Sequence, residues 1–241
     1  MPPQIRTPFF EIGVKNYIFG DEVLELAKTA DACAKKYDID VLFIAPYTEI
    51  RRVADSTDRL IVLAPYMDTL RPGRGMADVL PEAVKAAGAN GVVINHCERP
   101  MSISSIKQTI DRARELELLS FVCADTAAEA KAIAQLHPDI MNPEPSELIG
   151  TGRICDRSYI QEVTQAIHAI SPDTLVELAA GISSGKQVYD LIFAGAQAVG
   201  AASGIVNAAD RHAMAEEMIS SVRRAYNDSI ACIHKKGEHT K

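Results

Sequence analysis

The sequence has no tryptophan, few aromatic residues (5%) and only five cysteines. The cysteines, at 33, 97, 123, 155 and 232, form no C-x-x-C pair and are odd in number. A disulfide framework or a zinc site is not expected from such a set, and a reducing compartment is. No run of lysine or arginine exceeds two residues, as at Arg51-Arg52 and Arg223-Arg224, and the formal net charge is -7. Such a chain repels polyanions and offers no nucleic-acid groove. No apolar run approaches the roughly 20 residues that cross a bilayer. The opening stretch MPPQIRTPFFEIG lacks the charged-then-apolar layout of a signal peptide. A soluble, cytoplasmic protein with neither a membrane nor a nucleic-acid partner is therefore expected. Nucleotide fingerprints are missing too: Gly73-Arg74-Gly75 and Gly150-Thr151-Gly152 each lack the third glycine, and no G-x-x-x-x-G-K-[ST] occurs.

What is present is ordinary globular composition, 47% hydrophobic and 24% charged, in 241 residues. That length suits two small domains or one large α/β barrel. Eight short runs read as continuously apolar strands buried on both faces: Phe9–Val14, Val41–Ala45, Leu60–Ala64, Gly91–Asn95, Leu119–Ala124, Asp139–Asn142, Leu175–Ala179 and Ala198–Ala201. Helical periodicity fills the gaps. Ile103, Ile106, Ile110, Ala113 and Leu116 make one stripe after a capping serine near Ser102, and Met214, Met218, Ile219 and Val222 make another. The segment Asp21–Tyr37 carries Val23, Leu24, Ala27 and Ala34 on one side, and Gly195 stops the helix that starts near Ser184. Strands alternating with helices, without a linker, predict a single (β/α)8 barrel over residues 1–226. The periodicity is lost near Asn227, so 227–241 are expected to be a frayed tail.

In such a barrel the chemistry lies in the loops after the strands. Those positions hold Lys15, then Asn95-His96-Cys97-Glu98-Arg99-Pro100, then Pro143-Glu144-Pro145 followed by Gly150-Thr151-Gly152, and two small-residue turns at Gly181-Ile182-Ser183 and Ala202-Ser203-Gly204. The turns either cradle an anion with their backbone N–H groups or only cap helices. Glu144 sits between two prolines that restrict its backbone, as suits a base on a moving loop or a surface residue in a rigid turn. His96 precedes a helix whose N-terminus disfavours its charged form, so a neutral imidazole can donate to a carbonyl oxygen; a histidine satisfied by the backbone is the alternative. Lys15 offers a fixed positive charge or is simply solvated. Cys97 beside His96 does not make a nucleophile and base, because adjacent residues point apart. His96-Cys97-Glu98 lacks metal-ligand spacing, so no metal is expected.

Together these stretches resemble triosephosphate isomerase, in particular its short archaeal-type branch. The likeness runs from about Phe10 to Val206 and rests on Gly13-Val14-Lys15, Val79–Val84, Asn95–Arg99, Glu144–Gly152, Ala180–Gly185 and Ala202–Gly204. It implies that Glu144 is the base, His96 the electrophile and Lys15 the substrate-binding lysine, with Glu98 and the Gly13 position in support. Ile149, Gly181, Ile182, Ser183, Ala202, Ser203 and Gly204 would hold the phosphate. The implied reaction is aldose–ketose isomerisation of a small phosphorylated sugar, first of all dihydroxyacetone phosphate and glyceraldehyde 3-phosphate, in glycolysis and gluconeogenesis. A tetrulose phosphate, or binding of a phosphate ligand without catalysis, are the alternatives. No cofactor is needed for such a proton transfer, and a homo-oligomer, dimer or tetramer, is expected. Several positions depart from the family pattern. Gly13 stands where the family has an asparagine, so either an oxygen contact is lost or the freed volume admits a bulkier substrate. Asn16 is at the wrong spacing to replace it. Pro65-Tyr66, Met76-Ala77 and Pro100 also differ from the family pattern.

Overall fold

The computed structural model describes residues 2–154 and 156–238. Eight parallel strands, β1 (Phe9–Gly13), β2 (Val41–Ile44), β3 (Leu60–Ala64), β4 (Gly91–Ile94), β5 (Leu119–Ala124), β6 (Ile140–Pro143), β7 (Leu175–Leu178) and β8 (Ala198–Ala201), close into a barrel in chain order. Closure runs through β1 and β8, where Glu11 pairs with Gly200. Each strand coincides with a predicted apolar run to within a residue at either end. The helices between them are α1 (Asp21–Tyr37), α2 (Ile50–Ala54), α3 (Pro81–Ala86), α4 (Ile103–Glu115), α5 (Ala127–Ala134), α6 (Arg157–His168), α7 (Gly185–Phe193) and α8 (Ser203–Val206), with α9 (Arg211–Glu238) following β8. Among the described residues, no helix is long and apolar enough to cross a membrane.

Local chemistry explains the helix ends. The side chain of Ser102 accepts the Ser105 N–H at the start of α4, and Ser184 does the same for Gln187 at the start of α7. Gly195 follows α7 with φ of 107°, a left-handed turn that favours glycine. In α1 the buried stripe is Val23, Leu26, Ala27, Ala30 and Ala34, with Leu24 only half-buried, as the spacing of three and four requires. Helical structure continues past Asn227 to Glu238 rather than fraying there. Just past Asn227, Asp228 Oδ2 accepts the Tyr189 hydroxyl of α7 at 2.8 Å, so tertiary contact supports the helix where apolar periodicity has ceased. Residues 239–241 lie outside the described residues, as does Cys155.

Two cores result from the alternation of strand side chains. Phe10, Ile12, Val41, Phe43, Val92 and Val176 face the helix layer. Phe9, Leu42, Leu63, Val93, Phe121, Cys123 and Ile140 fill the barrel. Two strands break the continuously apolar reading. Glu11 and Glu177 fall on the inward register of β1 and β7 and are buried at 5% and 0% exposure.

Candidate active site

A cavity of about 350 Å³ opens at the C-terminal ends of the strands and descends between them. Lys15, His96, Glu98 and Glu144 all line it, with Gly13, Ile149, Gly181, Ile182, Ala202 and Ser203. Of the residues singled out in the sequence, Ser183 and Gly204 stand behind this lining. Ser183 turns its N–H and hydroxyl toward Gln187 Oε1, at 2.8 and 3.2 Å. Gly204 serves as a close-approach point: a Cβ there would run into the Ile182 carbonyl oxygen and, at 2.8 Å, Ser183 Cα. The turns after β7 and β8 are thus packed backbone to backbone.

Lys15 follows β1 in a left-handed conformation (φ 47°), rare for a residue with a side chain. Its Nζ lies 2.9 Å from Glu98 Oε1. Burial works against the ammonium, but the Glu98 hydrogen bond and charge, with that of Glu144, outweigh it and raise its pKa. His96 feels the opposite balance: burial and the Lys15 charge lower its pKa against the pull of Glu98. The Glu98 backbone N–H donates to His96 Nδ1 at 3.1 Å. That bond leaves the ring proton of the neutral imidazole on Nε2, and His96 lines the cavity. Cys97 Sγ is 3.8 Å from the same nitrogen, but burial and Glu144 raise its thiol pKa, which disfavours a thiolate. No cluster of ligands suited to a metal occurs among the described residues.

Glu144 begins the loop after β6. Its N–H donates to Ala124 O and Asn142 O, at 2.9 and 3.0 Å, which ties the residue to the strand ends. Burial raises its pKa, while Lys15, the Ala180 N–H and Asn142 hold it back. The segment beyond it makes a single 3-10 turn, Ser146–Leu148. Gly150 and Gly152 follow with φ of 72° and 74°. This loop rests on the next one: Gln187 Nε2 donates to Gly152 O at 2.8 Å, and a Cβ on Gly181 would overlap the Arg153 carbonyl.

The space beside Gly13 is taken on one side by a carboxyl. A Cβ built there would lie 2.9 Å from Glu11 Oε1, so the Glu11 carboxyl stands up along β1 to the level of Gly13. Gly13 itself still lines the cavity, so the freed volume is shared between the Glu11 carboxyl and open space, an arrangement that the sequence expectations do not include. Glu11, Glu177 and the neighbouring Asn142 were missed because their strands read as apolar; a single glutamate inside each of two barrel strands was the available signal. Arg99 stacks over the Tyr66 ring at 3.9 Å, which accounts for that unusual tyrosine after β3.

Comparison with known proteins gives a consistent picture. The family model described as triosephosphate isomerase matches residues 12–216. Triosephosphate isomerase of Saccharolobus solfataricus is 32% identical over 225 residues, covering 92% of this chain and 99% of that one. The enzyme of Methanoculleus marisnigri is 34% identical, covering 89% and 98%, and that of Methanobacterium bryantii 33%, covering 90% and 98%. The crystal structure of triosephosphate isomerase from Bartonella henselae superposes with a TM-score of 0.69 at 18% identity, over 91% of this chain and 100% of that one, a likeness of fold.

Proposed function

The chain belongs to the triosephosphate isomerase family, and from that premise we propose that it interconverts dihydroxyacetone phosphate and glyceraldehyde 3-phosphate through an enediolate. The observation that carries this reading is the meeting of Glu144, His96 and the Lys15–Glu98 pair on one cavity at the strand ends. In the forward direction Glu144 takes the pro-reactive proton from C1 of the ketose. Electron density moves to O2, where the Nε2–H of His96 and the Lys15 ammonium meet the developing negative charge. A neutral imidazole suits this role because its remaining proton can be donated and recovered, and this enzyme is one of the standard examples of a base paired with a neutral histidine. Glu144 then returns the proton to C2, and the hydroxyl proton passes between O1 and O2.

Gly181, Ile182, Ala202 and Ser203, the parts of the two turns that line the cavity, hold the phosphate through backbone N–H groups, while Ser183 and Gly204 pack the turns from behind, and the N-terminal end of α7 adds partial positive charge. Ile149, on the loop that Glu144 begins, covers the reacting carbons from water. The chain also assembles with copies of itself through the loop between β3 and α3, on which Met76 is fully exposed; light scattering on Met76→Asp, expected to give a smaller particle, tests that assembly. A coupled assay with each triose phosphate tests the reaction. Turnover competitively inhibited by inorganic sulfate is expected, and absence of turnover would refute it.

A further inference from the structure

Glu11 and Glu177 have no part in the reaction just described, and both are unusual. Oε1 of Glu11 and both carboxylate oxygens of Glu177 are buried without a hydrogen-bond partner, and so is Oδ1 of Asn142. Leaving such groups unpaired is costly, so a buried carboxyl without a protein partner marks a place where something else supplies the bond. The two glutamates are neighbours. A Cβ on Gly200 would press on Oε1 of Glu177 and Oε2 of Glu11 at once, so glycine at that position is what lets the carboxyls meet. Burial pushes both well above the usual carboxylate range, with Glu144 adding to the effect on Glu11, and Glu11 and Glu144 to that on Glu177. Two carboxyls this close do not both carry a charge, so at least one of them keeps its proton.

Glu11 lies in the floor of the cavity on the β1 side, with Glu177 behind it across Gly200. Glu11 and Gly200 line it, as do Val93, Phe121 and Cys123 of the barrel interior, so the cavity continues below the level of the reacting groups. A triose phosphate has nothing to offer this floor. One of its three carbons carries the phosphate, and the oxygens on the other two are the pair that exchanges the carbonyl. A hydroxyl for Glu11 requires a further carbon on the side of the reacting centre away from the phosphate.

We propose that Glu11, at the level of Gly13 and backed by Glu177, is a hydroxyl-binding, specificity-determining residue that selects a four-carbon sugar phosphate, a tetrulose 1-phosphate. This rests on the isomerase reading of the same site. The reaction remains an internal transfer. Glu144 takes the proton from C3, the C3–H electron pair enters the C2–C3 bond of an enediolate, and the proton returns to C2 while the hydroxyl proton moves from O3 to O2. The product is the tetrulose 4-phosphate, with the carbonyl at C3 and no external oxidant, reductant or water consumed. The C4 hydroxyl, present throughout, meets the Glu11 carboxyl, to which it can donate and from whose protonated form it can accept.

Sites that pair a substrate hydroxyl with a buried polar group discriminate strongly against the analogue without it. The test measures kcat/KM for a tetrulose 1-phosphate, by phosphorus NMR, and for dihydroxyacetone phosphate, by the coupled assay. The wild type is expected to favour the tetrulose by about tenfold or more. Glu11→Leu should lower the tetrulose-to-triose ratio by about 100-fold, and Glu11→Gln, which keeps a donor and an acceptor, should restore most of it. A wild type that prefers the triose, with Glu11→Leu changing both substrates alike, would overturn the inference and leave the isomerase reading standing. Should Glu11→Leu fail to fold by circular dichroism, the wild-type ratio decides. Titration calorimetry with erythritol 4-phosphate and glycerol 3-phosphate gives a readout independent of turnover. Tighter binding of the four-carbon ligand supports the floor even where neither substrate reacts, an outcome that would sink the isomerase reading alone, whereas equal or weaker binding counts against Glu11.

Discussion

Lys15 sets the charge that its neighbours feel. It lowers the pKa of His96 and restrains that of Glu144, and Glu98 holds its own proton in place. Each role can be separated by substitution. Glu144→Gln keeps the shape of the side chain but cannot accept a proton from carbon, so kcat should fall by about 10²–10⁴. Binding of glycerol 3-phosphate, measured by calorimetry, should change little. A variant within threefold of the parent would remove Glu144 from the base's role. The pH dependence gives a second, signed expectation. A base must be ionised, so activity is lost as pH falls through the Glu144 pKa, and burial raises that pKa above the ordinary value of about 4.3. Lys15→Met removes the charge that opposes the rise. The acid limb of kcat/KM should therefore move to higher pH as the rate drops, and an unmoved limb would show that Lys15 does not face the base.

At the scale of elements, the turns after β7 and β8 act as one unit because their backbones touch. Gly204→Ala brings a Cβ against the Ile182 carbonyl oxygen, and the backbone there cannot swing aside as a side chain would. The two turns must separate. KM for a phosphate ester should rise by about tenfold with circular dichroism unchanged, and sulfate should inhibit less; an unaltered sulfate inhibition constant would show that the turns are not the anion site. These turns were legible in the sequence because small residues at successive strand ends have a geometric purpose that spacing alone conveys. The strands were legible for a similar reason, since a run buried on both faces, such as Leu60–Ala64, has no amphipathic alternative. What spacing does not convey is lateral. That Glu11 reaches Gly13 along its own strand, and meets Glu177 across Gly200, depends on barrel closure between β1 and β8. Hence Gly13 reads in the sequence as a lost contact or a freed volume, and that its lack of a side chain gives the Glu11 carboxyl its place is visible only in the fold.

For the whole molecule, two carboxyls inside the barrel carry a consequence for stability. In the unfolded chain Glu11 and Glu177 ionise near the ordinary value of about 4.3. In the barrel their proton affinity is higher, because burial penalises the charged form and each faces other acids: Glu11, Glu177 and Glu144, with the Cys123 thiol also close by and the Lys15 ammonium the opposing charge. The folded state thus holds more protons than the unfolded state above that pH. Linkage fixes the sign: the contribution of these groups is fully present below about pH 4.3 and is lost as pH rises toward their folded values. Glu144 adds a smaller contribution of the same sign, whereas His96, with its lowered pKa, works the other way as pH falls. Glu177→Gln isolates the pair, since it keeps the size of the side chain and removes one acid. Each tenfold difference in proton affinity corresponds to about 1.4 kcal/mol, and for a chain of this size about 2–4 °C in Tm per kcal/mol. The variant should therefore melt several degrees above the parent at pH 8, with the gap narrowing as the pH is lowered toward 5. Scanning calorimetry across that range decides the matter. A gap that stayed constant with pH would mean that the pair does not titrate between the folded and unfolded states, and that Glu177 stabilises or destabilises the barrel through packing alone.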